Sequence, residues 1–266
     1  MDSKNFLNVA VRAARESGRI LLRRMSTLTR SQIRKKGKYD WVTDVDQASE
    51  ERILRIIRKA FPSHSVKAEE SAPTEGSGPF QWLIDPLDGT VNYMHRFPMF
   101  SVSIALAKKG VLEVGVVYDP MRQELLTARR GHGAWLNGKR IRVSPCSTFE
   151  ESMLATGFPF RAKGYMDLYL SSFRRVFLET GSIRRAGSAA LDLACVACGR
   201  MDGFWEMALS PWDVAAGALL IQEAGGKVSD FFGGPDYLEG GHILAGTPGI
   251  HRKMVSLLVP IFRGKI

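Results

Sequence analysis

The order of patterned segments predicts a layered α+β protein with an antiparallel-rich first half and a mixed α/β second half. Two observations carry this. Between Ser101 and Val143, short β-patterned runs follow one another across connections of a few residues, the spacing of antiparallel neighbours. After residue 145, strand-like and helix-like segments alternate, which predicts helices laid on a sheet. Polar content rises near 144–151, so a boundary is placed there, between an N-terminal lobe (1–145) and a C-terminal lobe (146–266).

The elements follow in order. Residues 6–25 repeat Phe6, Val9, Ala10, Ala13, Ala14, Ile20 and Leu21 at helical spacing, with Arg between them. The stretch 27–38 is polar and basic and reads as an exposed, mobile loop. A second helix is expected over 47–60, with Ile53, Leu54, Ile56 and Ile57 on its apolar side and Pro62 after it. A strand at 65–68 delivers Glu69 and Glu70. A short apolar strand from Gln81 ends at Asp85, where Pro86 stops it. Strands follow at 101–107, 111–118 and 123–128, then a hairpin over 135–143 turning at Asn137-Gly138. In the second half a strand is expected at 152–156 and a helix at 165–179. Residues 183–186 lead to a helix opening at Gly187-Ser188. A strand at 203–206, a helix at 212–224, strands at 227–229 and 243–245, and a helix from about Pro248 complete the chain.

Composition narrows the function classes. The 266 residues are 45% apolar and 24% charged, ordinary for a globular protein. No apolar run approaches the ~20 residues of a membrane span. The Arg-studded N-terminus lacks the apolar core and cleavage site of a signal peptide, so a cytoplasmic location is expected. Cys146, Cys195 and Cys198 are too few and too odd in number for a disulfide framework. Cys195 and Cys198 sit in a run of small apolar residues and read as core. The net charge is +10, and residues 1–40 hold eleven Lys and Arg against three acids. Such a face attracts nucleic acid or other anions, or is simply a solvated helix surface.

The chemistry centres on Asp85-Pro-Leu-Asp88-Gly89-Thr90. Asp-Gly alone is an ordinary turn. Here an apolar strand brings two carboxylates to it, and the amides at the helix opening suit a phosphate. Paired carboxylates beside those amides suit a hard dication. Further acids stand where loops meet elements, at Asp44/Asp46, Glu69/Glu70, Glu206 and Asp213. Oxygen ligands without His or Cys point to magnesium or manganese, and the expected chemistry is a metal-assisted reaction at phosphate.

Longer patterns join these pieces: Trp82-Leu-Ile-Asp85-Pro-Leu-Asp88-Gly-Thr90-Val-Asn92, Trp212-Asp213-Val-Ala-Ala-Gly217 and Glu223-Ala-Gly-Gly226. Val42-Thr43-Asp44-Val-Asp46, Glu69-Glu70-Ser71 and Gly187-Ser188-Ala189-Ala190 accompany them. Through these the whole chain resembles the inositol monophosphatase family, of the lithium-sensitive, magnesium-dependent sugar-phosphatase superfamily. Residues 183–194 and 199–206 are most similar to its bacterial members. The resemblance implies a layered α-β-α-β-α sugar-phosphatase fold, a homodimer, and hydrolysis of inositol monophosphates by metal-activated water. It implies two to three Mg2+ ions, with Mn2+ as a substitute. Glu69, Asp85 and the Leu87 carbonyl would hold one ion, and Asp85, Asp88 and Asp213 a second. Glu69 and waters would hold a third. Thr90, oriented by Asp46, would help activate the water, and the Gly89 and Thr90 amides would hold the phosphate. Gly187, Ser188, Ala189 and Glu206 would line the sugar side. His95 is expected to pack beneath its loop rather than act as a general acid, Glu70 to stand behind the site or in its loop, and Arg184-Arg185 to serve structure or a dimer interface rather than contact substrate phosphate. Two alternatives accompany this reading. One is specificity for fructose 1,6-bisphosphate or 3′-phosphoadenosine 5′-phosphate. The other is a non-catalytic association with RNA or the transcription machinery through the basic N-terminal face, since bacterial relatives are associated with ribosomal RNA synthesis.

Overall fold

The computed structural model describes residues 3–37, 40–160 and 162–266. Helix α1 (Ser3–Met25) buries Phe6, Ala10, Ala13, Ala14 and Leu21 and turns Arg12, Arg15, Arg19, Arg23 and Arg24 to solvent. Strands β1 (Ile33–Gly37) and β2 (Asp40–Thr43) pair as an antiparallel hairpin. Much of the expected 27–38 loop is therefore strand; Lys38 lies outside the described residues. The stretch lacks apolar alternation, and cross-strand contacts replace it: Lys35 pairs with Trp41 and holds its ammonium 5.0 Å from the indole ring.

Helix α2 (Asp44–Ala60) begins at Asp44 rather than near Gln47. Thr43 caps it, its hydroxyl accepting from the Val45 and Asp46 amides, while Asp46 accepts from the Thr43 amide. Strand β3 (Ser65–Ala68) follows, then β4 (Phe80–Asp88) and the short helix α3 (Thr90–Met94). Strands β5 (Ser101–Lys108), β6 (Val111–Asp119), β7 (Glu124–Arg129), β8 (Ala134–Leu136) and β9 (Lys139–Ile141) extend the sheet one antiparallel neighbour at a time. Only β3 runs parallel to its neighbour β4. Strand β4 does not stop at Asp85. Its ladder to β5 breaks there, since Pro86 has no N–H to give, and resumes with Asp88 opposite Ser101.

The second half supplies β10 (Met153–Thr156), α4 (Met166–Phe177), β11 (Ser182–Arg184), α5 (Ala189–Ala197) and β12 (Gly203–Met207). Then come α6 (Pro211–Glu223), β13 (Lys227–Ser229), β14 (His242–Gly246) and α7 (Pro248–Phe262). The strands form a mixed sheet in the order β11-β10-β12-β14-β13. Helices α1 and α2 cover the larger sheet, α5 and α6 lie between the two sheets, and α4 and α7 cover the smaller. This is the α-β-α-β-α layering that the resemblance implied. The two middle helices are apolar nearly all round, as helices between two sheets must be. Leu191, Leu193, Val214, Leu219 and Leu220 are buried. One cluster runs from Leu83 and Val117 in the larger sheet through these helices to Phe204 and Ile243 in the smaller. Among the described residues, no helix is long and apolar enough to cross a membrane.

Because α6 serves both sheets, truncating Leu219, fully buried in that layer, is expected to weaken both at once. Leu219→Ala is expected to lower unfolding free energy by about 2–5 kcal/mol within a single denaturant transition. Two separated transitions would contradict the shared core.

Candidate active site

A cavity of about 410 Å³ opens where β4, α5, α6 and β12 meet. Every residue expected at the site lines it except Asp46 and Ser188, each one hydrogen bond beneath. The break in β4 makes the floor. The Leu87 amide donates to Asp85 Oδ1 at 2.9 Å, orienting that carboxylate. Asp88 Oδ2 accepts from Ser188 Oγ at 2.5 Å and from the Ala190 amide at 2.8 Å. An acid of the larger sheet thus satisfies the first turn of α5. Gly89 has φ +95°, a left-handed conformation that glycine adopts without strain. It turns the chain so that Thr90 Oγ1 reaches Asp46 Oδ1 (3.0 Å) and the Leu87 carbonyl (3.2 Å). Asp213, in the first turn of α6, accepts from the Ser210 amide at 2.8 Å. Glu69 follows β3, its amide donating to the Ile84 carbonyl one residue before Asp85.

Burial in this cavity raises the proton affinities of Asp46, Asp85, Asp88 and Glu206. Burial raises Asp85 well above the usual carboxylate range, and the charges of Glu69, Asp88 and Asp213 add to it. Burial lifts Asp46 and Asp88 to about 6, against hydrogen bonds that pull the other way. Glu206 is raised well above its usual value by burial and then by the charge of Asp192, with Arg185 opposing. So much like charge in one cavity suits a divalent cation, and the donors fit one: carboxylate oxygens of Glu69, Asp85, Asp88 and Asp213 and the Leu87 carbonyl, with no sulfur or imidazole. Among the described residues, no three of these side chains close to the spacing of a ready-made metal cage.

The far wall holds groups that sequence reasoning missed. Phe158 and Phe160 line the cavity and flank the Arg185 guanidinium at 5.8 and 5.1 Å. Arg185 therefore faces the cavity, whereas structure or a dimer interface was expected. The Gly157 Cα packs on Glu206; a Cβ there would sit 2.0 Å from Oε1. Trp41 brings the hairpin to the rim. Asn92 Nδ2 donates to the Met99 and Ala186 carbonyls at 2.7 and 2.9 Å and clips the two halves together. His95 is exposed, not packed beneath its loop; the buried ring is Tyr93, whose hydroxyl donates to the Leu21 carbonyl at 2.8 Å. Asp44 turns outward to Arg34, and the Glu70 amide donates to Glu50.

Residues 2–263 match the model of the inositol monophosphatase family. The chain belongs to the inositol monophosphatase family. It is 51% identical to the Nus factor SuhB of Escherichia coli K12, over 94% of each chain. The extragenic suppressor protein suhB of Bartonella henselae superposes with a TM-score of 0.93 at 41% identity, covering 98% of this chain and 100% of that one. The inositol monophosphatase of Anabaena (Nostoc) sp. PCC 7120 gives a TM-score of 0.88 at 42% identity, covering 97% and 96%. Membership in the inositol monophosphatase family supports a magnesium-dependent phosphatase.

The raised carboxylates give a pH dependence with a definite sign. Folded protein without divalent cation binds protons at Asp46 and Asp88 up to about pH 6, whereas their ordinary value is 3.8. This contribution to stability is complete below about pH 4 and is lost as pH rises through about 6. In EDTA, the melting temperature of wild type relative to Asp88→Asn is expected to fall between pH 4 and 7. A constant difference would contradict the buried charge.

Proposed function

We propose that this protein is a magnesium-dependent phosphomonoesterase that hydrolyses inositol monophosphates to inositol and phosphate. The observation that supports it best is the gathering of Glu69, Asp85, Asp88 and Asp213 beside the Gly89–Thr90 turn, with Glu206 in the same cavity. In this reading Glu69, Asp85 and the Leu87 carbonyl hold one ion, Asp85, Asp88 and Asp213 a second, and Glu69 a weaker third. Such ions, when bound, lower the pKa of water and stabilise the leaving oxygen. The chain's own part is orientation. Thr90 Oγ1 donates to Asp46, which leaves its lone pairs to accept a hydrogen bond from the attacking water; as the water gives up that proton to Thr90, the threonine's own proton would pass to Asp46. The amides of Gly89 and Thr90 receive phosphate oxygens. Gly187, Ser188 and Ala189 border the polyol. Glu206, whose proton affinity is raised by burial, accepts hydrogen bonds from ring hydroxyls. The two lobes, 1–145 and 146–266, divide these duties between them. A homodimer belongs to the same reading, supported by Leu170, Phe177 and Leu178, which stand exposed on or next to α4.

The test is phosphate release from myo-inositol 1-phosphate, glycerol 2-phosphate, fructose 1,6-bisphosphate and 3′-phosphoadenosine 5′-phosphate, each with magnesium or EDTA. Turnover is expected to be highest on inositol 1-phosphate, absent in EDTA and inhibited by lithium. Asp85→Asn is expected to lower it roughly a hundred-fold or more. No magnesium-dependent turnover on any of the four would sink the enzyme reading. Gly157→Ala pushes on Glu206, so it is expected to raise KM for inositol 1-phosphate about ten-fold and to change KM for glycerol 2-phosphate little. Equal effects on both would remove Glu206 from polyol binding.

A second role, in transcription complexes, is favoured by the relatives named Nus factor. The exposed arginines of α1 support it. Replacing Arg23 and Arg24 by Ala is expected to weaken binding to RNA or to transcription proteins with turnover nearly intact. Unchanged binding would leave that role without its basic surface.

A further inference from the structure

Helix α2 is polar where a buried helix face is normally apolar. Asp46, Ser49 and Glu50 are 0%, 0% and 3% exposed. Their spacing puts them on one face, directly before Ile53 and Ile57. Buried polar groups are tolerated when hydrogen-bonded. Each of these grips a different segment of the cavity: Asp46 takes the Thr90 hydroxyl, Ser49 donates to the Pro86 carbonyl at 2.8 Å, and Glu50 accepts from the Glu70 amide at 2.8 Å.

The Ser49 contact bears on the reacting groups most directly. The Pro86 carbonyl and the Leu87 amide belong to one peptide unit. Ser49 holds its oxygen, and its N–H holds Asp85 Oδ1 at 2.9 Å. A peptide plane fixed at both ends cannot rotate, so the Asp85 carboxylate and the neighbouring Leu87 carbonyl keep their directions. Behind Ser49, the Ser17 hydroxyl of α1 lies 2.5 Å from Ser49 Oγ and is also fully buried. Since the Ser49 proton goes to Pro86, Ser17 donates to Ser49. We propose that Ser49, backed by Ser17, is a positioning residue that sets the Asp85 carboxylate through the Pro86–Leu87 peptide. The inference rests on the metal-assisted reading of the cavity given above.

The test measures manganese binding by the loss of free-ion EPR signal and thermal unfolding in EDTA. It compares wild type, Ser49→Ala, Asp85→Asn and Ser172→Ala. Ser172 is an equally buried serine of α4 that donates to the Tyr169 carbonyl and accepts from the Trp205 indole at 3.4 Å, with no bond to the metal-side acids. Ser49→Ala is expected to weaken manganese binding about ten-fold and to raise the magnesium concentration for half-maximal turnover by the same factor. Ser172→Ala is expected to change neither, whatever its melting temperature. Ser49→Cys keeps the volume and only a weak donor, so it reports the same loss if the alanine variant does not fold. Wild-type affinity in a folded Ser49 variant, against a clear loss in Asp85→Asn, overturns the positioning role alone. Wild type that binds no manganese overturns the metal reading and this inference with it.

Discussion

The structure depends on keeping several carboxylates buried in one place. Like charges in a cavity repel, and burial penalises each of them further. The chain tolerates them because nearly every acid meets a backbone N–H left over at the start of a helix or at a tight turn. Asp46 takes the Thr43 amide at the head of α2, Asp88 the Ala190 amide at the head of α5, and Asp213 the Ser210 amide at the head of α6. Asp85 takes the Leu87 amide across the Pro86 turn. Helix starts carry unmet donors and partial positive charge. Three of them beside one cavity offset much of what the acids cost.

That requirement explains why the two middle helices lie between the sheets. Their first turns must be reached by β4 from one sheet and stand near β12 from the other. Asp88 crosses from the first half to cap α5, and Ser103 of β5 donates to the Trp212 carbonyl beside Asp213 at 3.1 Å. Neither half of the chain builds the cavity alone. A core that runs unbroken from Leu83 to Ile243 keeps the two sets of acids in register.

The features that were legible in the sequence are local ones. The capping boxes Thr43-x-x-Asp46 and Ser210-x-x-Asp213 are local as well, but the first went unread, and its helix was expected only from 47. The apolar run into Asp85 and the small, greasy stretch around Leu193 announce a buried strand and a buried helix. Assigning roles to the acids took the family resemblance, because spacing does not show which loops converge. The features that escaped depend on contacts distant in sequence. Arg185 faces the cavity because Phe158 and Phe160, on another loop, stack on it. The 33–43 hairpin has charged residues where strands usually alternate. Nothing in the local sequence marks Ser49, since its partner Pro86 lies 37 residues away. Pro86 was read as the end of a strand, but a sheet can lose one donor and resume pairing two residues later.

The two sides of the cavity are made of different material. One side combines carboxylates with backbone: Asp85 and Asp88, the Leu87 carbonyl, the Gly89 turn, and the amides that orient those acids. The other side is built from Glu206, Arg185, Phe158 and Phe160, which come from β12 and two loops. The first set is thus held by the same bonds that hold the chain together, whereas the second comes from one strand and two loops. Two proteins of this fold can therefore share the chemistry at phosphate and differ in the molecule that carries it.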